Sequence, residues 1–267
     1  MAAAQRTIVL RAARAYRTVS HVGATILAGV PPVHLIAASY AEMYDRTKAI
    51  KEMRGVIPPR AKRALKQQVT RSLILKWKEF LQDPRLPGER VRQAIQPVLE
   101  DWLERRRRGS TFHTTQVISG HGCFGQYLCR IGKEGTTHCH HCPEEVDTAQ
   151  HTLEFCPAWE ERRRVLRATV GNDLSLQAII RATVEGNGDE KWGAFASFCN
   201  AVMGQKEADE RIRRGEVNPP PPESDSDNGG RGKAPRPPPQ VRRRRRRRQG
   251  GQRAVGALAG ALDAVAP

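Results

Sequence analysis

No run of about 18 apolar residues, the length a helix needs to cross a bilayer, occurs anywhere in these 267 residues, so no membrane partner is expected. The N-terminus also lacks the continuous apolar stretch of a secretory leader. No acidic residue precedes Glu42, although Arg6, Arg11, Arg14 and Arg17 do. Six cysteines without a secretory leader imply a reducing compartment, where clustered Cys and His bind metal more often than they form disulfides. The acid-free, arginine-bearing start has the composition of a mitochondrial presequence, which keeps the mitochondrion as an alternative address. No internal repeat is present.

What the chain has in excess is positive charge: 45 Lys and Arg against 28 Asp and Glu, a formal net charge of +17. Residues 215–267 hold 11 of those bases and 5 of the acids, leaving 34 against 23 in the first 214 residues. The part able to fold is therefore basic in its own right. Such an imbalance repels compaction but attracts polyanions, of which nucleic acid is the usual one.

Hydrophobic spacing predicts a mainly α protein. Residues 1–50 read as helical with a break at Gly29-Val30-Pro31-Pro32. After Pro58-Pro59, Leu65, Val69, Leu73, Trp77 and Leu81 recur at intervals of four with Phe80 beside them, and Pro84 and Pro87-Gly88 end that helix. Val91, Ala94, Ile95, Val98, Leu99, Trp102 and Leu103 mark the next one, in which Pro97 predicts a kink or a delayed start. It closes on Arg105, Arg106, Arg107, Arg108 and Gly109, a cationic last turn that answers the helix dipole or contacts phosphate. Further helices are expected near 157–169, 174–184 and 189–214, the last turning Trp192, Phe195, Cys199 and Val202 inward. From Gly215 the chain becomes Pro- and Arg-rich and is expected to be disordered. The resulting organisation is a helical region at 1–110, a knuckle region at 111–165, C-terminal helices at 166–214 and a tail at 215–267.

The stretch from Cys139 to Cys156 contains C-x2-C-x8-H-x4-C. Two cysteines separated by two residues form a tight turn with both thiolates aimed at one ion, and His151 and Cys156 return to close a tetrahedron. Four protein ligands leave no open position, so the implied zinc is structural. His138, His140 and His141 are competing nitrogen donors or outer partners, the latter two less well placed because they lie between the paired cysteines. Cys123 and Cys129 read as buried free thiols rather than a second site, and Cys199 as core. Arg130, Lys133, Arg162, Arg163 and Arg164 flank the knuckle and are the expected phosphate contacts, together with the Arg105–Arg108 run. Phe124, Tyr127 and Trp159 are aromatic enough to stack on bases, with burial expected for at least two of them. No residue is singled out as catalytic. Arg242, Arg243, Arg244, Arg245, Arg246, Arg247 and Arg248 form an unbroken run that reads as a nuclear or nucleolar address and a grip on phosphates without sequence preference.

Three segments resemble the C-terminal region of non-LTR (LINE-type) retrotransposon reverse transcriptases, in particular the arthropod type that inserts at fixed genomic targets. They are AYRTVSHVGATILAGVPPVHLIA at 15–37, TTQVISGHGCFGQYLCRIG at 114–132, and CHHCPEEVDTAQHTLEFCPAWEERR at 139–163. The first is similar to the stretch after the polymerase thumb, and the third to the family's CCHC knuckle with its trailing Cys-Pro-x-Trp. The resemblance implies zinc on Cys139, Cys142, His151 and Cys156, and contact of the knuckle region with template RNA or target DNA. It departs from the family in one chemical respect: phosphoryl transfer needs carboxylates holding two metal ions, and this sequence has no Asp-Asp pair. The chain thus reads as a C-terminal segment without polymerase or endonuclease sites, binding RNA or single-stranded DNA. The alternatives are an accessory part of an RNA-directed DNA polymerase supplied in another chain, and a protein-interaction zinc module.

Overall fold

Prolines and glycines set most of the element boundaries. The computed structural model describes residues 2–105 and 109–216, Arg105 in its backbone alone. Arg106, Arg107, Arg108 and everything from residue 217, including the Arg242–Arg248 run, lie outside the described residues. The described chain is mainly α, with no strand among those residues. Its helices are α1 (Ala2–Ala12), α2 (His21–Ala28), α3 (Val33–Arg54), α4 (Pro59–Phe80), α5 (Glu89–Ile95), α6 (Leu99–Arg105), α7 (Phe112–Ser119), α8 (Gly125–Arg130), α9 (Glu160–Val170), α10 (Leu176–Val184) and α11 (Gly188–Arg213). No single described helix is long and apolar enough to cross a membrane.

Two differences from the sequence pattern have local causes. The helical N-terminal stretch breaks not only at Gly29–Pro32 but also across residues 13–20, where Arg14 takes a positive φ of 54° and Ser20 caps α2 by accepting from Gly23 N at 3.1 Å. Pro97 does more than kink its helix. A 3-10 turn at Gln96–Val98 separates α5 from α6, because proline removes a donor and crowds the preceding turn. Pro59 opens α4 at its first position, where the missing N–H costs nothing.

The core gathers side chains from nearly the whole described length, from Val9 in α1 to Met203 in α11. Trp77, Ile95, Leu99, Trp102, Ile118, Phe195 and Cys199 are all fully buried. Each such apolar side chain contributes about 1.5–3 kcal/mol. Trp102 also donates to Ile26 O at 3.1 Å and meets the Trp192 ring edge-on at 6.0 Å. The α3–α4 pair is different in kind. Its two long helices pack on each other and are joined by Lys76 to Glu42 at 3.1 Å, while α3 buries Ser39 alone. Tyr44, Met53 and Val56 are left exposed there.

Two glycines hold segments at distances no side chain would tolerate. Gly88 has φ +82°, and a Cβ on it would lie 2.6 Å from Ser20 Oγ. Gly125 begins α8 against the knuckle backbone, where a Cβ would meet His138 O at 2.5 Å and Thr137 O at 2.6 Å. The second contact seats the metal-ligand loop on the helical scaffold.

Candidate metal centre

The knuckle is built by backbone hydrogen bonds before any ion enters. Asp147 N donates to Thr137 O and Cys139 N to Glu144 O, each at 2.8 Å, which closes a narrow loop carrying Cys139 and Cys142. A one-turn π-helix, His151–Phe155, follows, and Thr148 Oγ1 accepts from its first N–H, His151 N, at 2.8 Å. The wide π turn lets Cys156 N reach back to His151 O at 2.8 Å, so the two distal donors lie on one side of the turn. Pro157 follows and ends it.

One donor atom from each of Cys139, Cys142, His151 and Cys156 lies within 4.8 Å of all the others. Cys139 and Cys156 Sγ are 3.9 Å apart, and Cys142 Sγ is 3.2 Å from His151 Nε2. A tetrahedron with zinc bond lengths would place sulfurs about 3.8 Å apart and sulfur and nitrogen about 3.6 Å apart, so the donor set fits that ion. Cys139, His151 and Cys156 are buried, and Cys142 is half-buried.

The electrostatics argue the same way. The hydrogen bond shared by the Cys139 and Cys156 sulfurs holds Cys139 well below the usual thiol range and pushes Cys156 up. Burial pushes Cys142 up. Backbone N–H groups of His141, Glu144 and Ala158 are aimed at the three sulfurs and favour their ionised forms. Three thiolates this close repel one another unless a divalent cation sits among them. The cluster can therefore hold a metal ion, with zinc the cation its chemistry suits.

None of the competing histidines joins the four donors. His138 is bonded to Thr136, His140 Nε2 to Glu134 at 2.9 Å, and His141 stacks edge-on against Trp159 with Nε2 3.5 Å from Asp209. Cys123 donates to Glu210 at 2.8 Å and Cys129 is half-exposed rather than buried; neither joins the cluster.

Beneath the knuckle lies a support that local spacing gave no sign of. Asp147 Oδ2 takes Lys206 Nζ at 2.8 Å and Gly125 N at 3.0 Å, while Oδ1 takes the Thr152 hydroxyl at 3.2 Å. Lys206 and Asp147 are almost fully buried, and the ammonium lies 5.5 Å from the Phe124 ring centre. This ion pair ties α11 to the metal-ligand loop across 59 residues of sequence.

The expected phosphate contacts separate into distinct environments. Arg162 and Lys133 are exposed. Arg164 is exposed and paired with Glu161. Arg130 is exposed at the end of α8, its guanidinium 5.2 Å from the Tyr127 ring centre. Arg163 is turned inward, 1% exposed, donating to Cys156 O and to Thr152 O at 3.4 Å and pairing with Glu160 at 2.9 Å. It satisfies carbonyls at the end of the π turn and has no surface to offer. Arg105 closes α6 with its side chain outside the description, as are Arg106, Arg107 and Arg108.

All three aromatics considered for stacking are buried: Phe124 under Lys206, Tyr127 bonded to Thr18 at 2.7 Å, and Trp159 against His141. The aromatic exposed within the knuckle segment is Phe155, 63% accessible and adjacent to Cys156. Its position directly before a ligand cysteine was the one available signal.

No family model matches the chain, and no solved structure does. The chain is 29% identical over 182 residues to a retrovirus-related Pol polyprotein from type-1 retrotransposable element R1 4 of Nasonia vitripennis. It is 27% identical over 169 residues to a putative 115 kDa protein in type-1 retrotransposable element R1DM of Drosophila melanogaster. The chain is thus similar to retrotransposon proteins. The matches cover 63% and 61% of this chain but only 44% and 16% of those relatives.

Proposed function

We propose that this chain is a nucleic-acid-binding region of a non-LTR retrotransposon reverse transcriptase, corresponding to its C-terminal knuckle segment. In this reading Cys139, Cys142, His151 and Cys156 hold one structural zinc ion. The observation that carries it is the convergence of the four donors within 4.8 Å in a chain of net charge +17 whose relatives are retrotransposon proteins. The zinc closes the loop and leaves no coordination position for a reacting water, so it organises the surface and performs no chemistry. Lys133 and Arg162 supply exposed charge for phosphates, and Phe155 a face on which a base of RNA or single-stranded DNA stacks. Arg242–Arg248 add a sequence-independent grip and a nuclear address. With no Asp-Asp pair in the sequence, no catalytic step is assigned to this chain.

The test is filter binding of a short single strand across a salt series. Affinity should fall steeply and linearly on logarithmic axes as salt rises. No binding at low salt, or binding without a salt slope, overturns the reading. A second reading, an accessory segment of a polymerase supplied elsewhere, draws on the similarity to a Pol polyprotein. Primer extension seen only when a separate polymerase chain is added would favour it.

A further inference from the structure

A second cluster of basic side chains lies around the Gly120-His121-Gly122 loop and touches the knuckle segment only through Gln150. A cleft of about 290 Å³ opens there between the start of α2, the start of α5 and the loop after α7. Arg90, Arg130 and His121 line it. Arg90 is pushed down to about 10 by burial, with no acidic group contributing. Its guanidinium reaches only neutral acceptors, Val117 O at 3.3 Å and Gln150 Oε1 at 3.0 Å, and has N–H donors left over. The Arg90 stem passes the loop so closely that a Cβ on Gly120 would lie 3.4 Å from its Cδ. Glu89, the one acid on the cleft wall, is exposed and accepts from Gln93 on its own helix at 2.8 Å.

His121 and Arg130 share a single support. The Tyr127 ring meets the His121 ring edge-on at 5.0 Å and the Arg130 guanidinium at 5.2 Å. The Tyr127 hydroxyl is itself fixed by Thr18 at 2.7 Å. His121 Nδ1 is 3.0 Å from Ser119 O, and a carbonyl accepts only, so that nitrogen carries the proton. Burial, and then Arg130, lower the tendency of the ring to take a second proton. Nε2 is then a hydrogen-bond acceptor, with no partner among the described residues. The cleft thus combines two cations without acidic partners among the described residues and one neutral acceptor. An anion alone would use only the cations. A ribose-phosphate unit uses all three, because its 2′-hydroxyl donates where deoxyribose has nothing to offer.

We propose that this cleft is a ribonucleotide-binding site, taking a backbone phosphate on Arg130 and Arg90 and the adjoining 2′-hydroxyl on His121 Nε2. It rests on the nucleic-acid reading above and adds to it a preference for RNA, set at a cleft that none of the four metal donors lines.

Anisotropy of labelled RNA and DNA strands of one sequence, titrated with the zinc-loaded full chain across a salt series, tests it. The wild type should hold RNA on the order of tenfold tighter than DNA. His121→Phe keeps the ring against Tyr127 but removes the acceptor, and should bring RNA affinity down to the DNA value. Arg130→Gln should weaken both strands and lower the salt slope by about one. Equal affinity of the wild type for RNA and DNA, an RNA preference that survives His121→Phe, or an unchanged slope in Arg130→Gln overturns the inference while the nucleic-acid reading stands. Binding of neither strand at low salt removes that reading itself. Should the melting profile show that His121→Phe does not fold, the wild-type preference and the Arg130→Gln slope decide alone.

Discussion

The knuckle and the helical scaffold are stabilised by different means. From Thr137 to Cys156 the chain has little apolar mass of its own; it is held by loop-closing hydrogen bonds, by four donors around one point, and by a buried ion pair from below. The scaffold around Trp77, Leu99, Trp102 and Phe195 is held by dry apolar contact. A segment too small to bury a core borrows its order from an ion and from its neighbours, whereas a helix pair with a continuous apolar face needs neither. The two regions should therefore fail separately, and for different reasons.

Metal removal should break the comparison most completely. Structural zinc in small knuckles contributes on the order of 10 kcal/mol of apparent folding free energy. Atomic absorption should find about one zinc per chain. Chelation, or Cys142→Ser, should abolish it and raise hydrogen exchange across residues 136–160 while α4 and α11 stay protected. Retained stoichiometry in the variant would mean that the ligand set is wrong. Trp102→Ala should do the reverse, costing about 4 kcal/mol of scaffold stability and leaving the zinc content of the folded fraction unchanged.

Lys206→Met sharpens the boundary between the two. Removing one partner of a buried pair leaves Asp147 charged and unmatched in a dry site, a loss of about 3–5 kcal/mol. Because Asp147 also receives Gly125 N and Thr152 Oγ1, that loss should appear first as increased exchange at Gly125 and in the π turn. A variant that melts like the wild type, with unchanged exchange there, would show that the ion pair does not join the regions.

The same division governs how much could be read from the sequence. Cys139, Cys142, His151 and Cys156 were legible because metal donors act over a short, fixed spacing. The helix carrying Leu65, Val69, Trp77 and Leu81 was legible because an apolar face repeats with the turn of the helix. Lys206 and Asp147 were not, since nothing local marks two residues 59 apart as partners. Phe124, Tyr127 and Trp159 are chemically able to stack; only the packing shows that they are enclosed and that Phe155 is outside. The break at residues 13–20 was hidden because the apolar pattern runs on across it. Pro97 was visible, but whether it kinks or divides a helix depends on what packs against each half.

Two adjacent arginines give the smallest effect and the finest test. Arg162 and Arg163 look equivalent in sequence, both following two glutamates at the start of α9. Arg163 is buried, and its planar fork bonds two carbonyls, Cys156 O and Thr152 O, that one compact ammonium is poorly shaped to serve together. Arg163→Lys keeps the charge yet should cost about 2 kcal/mol, seen as a lower melting temperature and faster exchange at Cys156. Arg162 is exposed, so Arg162→Ala should leave melting and zinc content where they were. Its effect should appear only in binding, as a loss of about one in the slope of affinity against salt. A melting change in Arg162→Ala, or a slope change in Arg163→Lys with stability intact, would mean that the inward and outward roles have been assigned to the wrong neighbours.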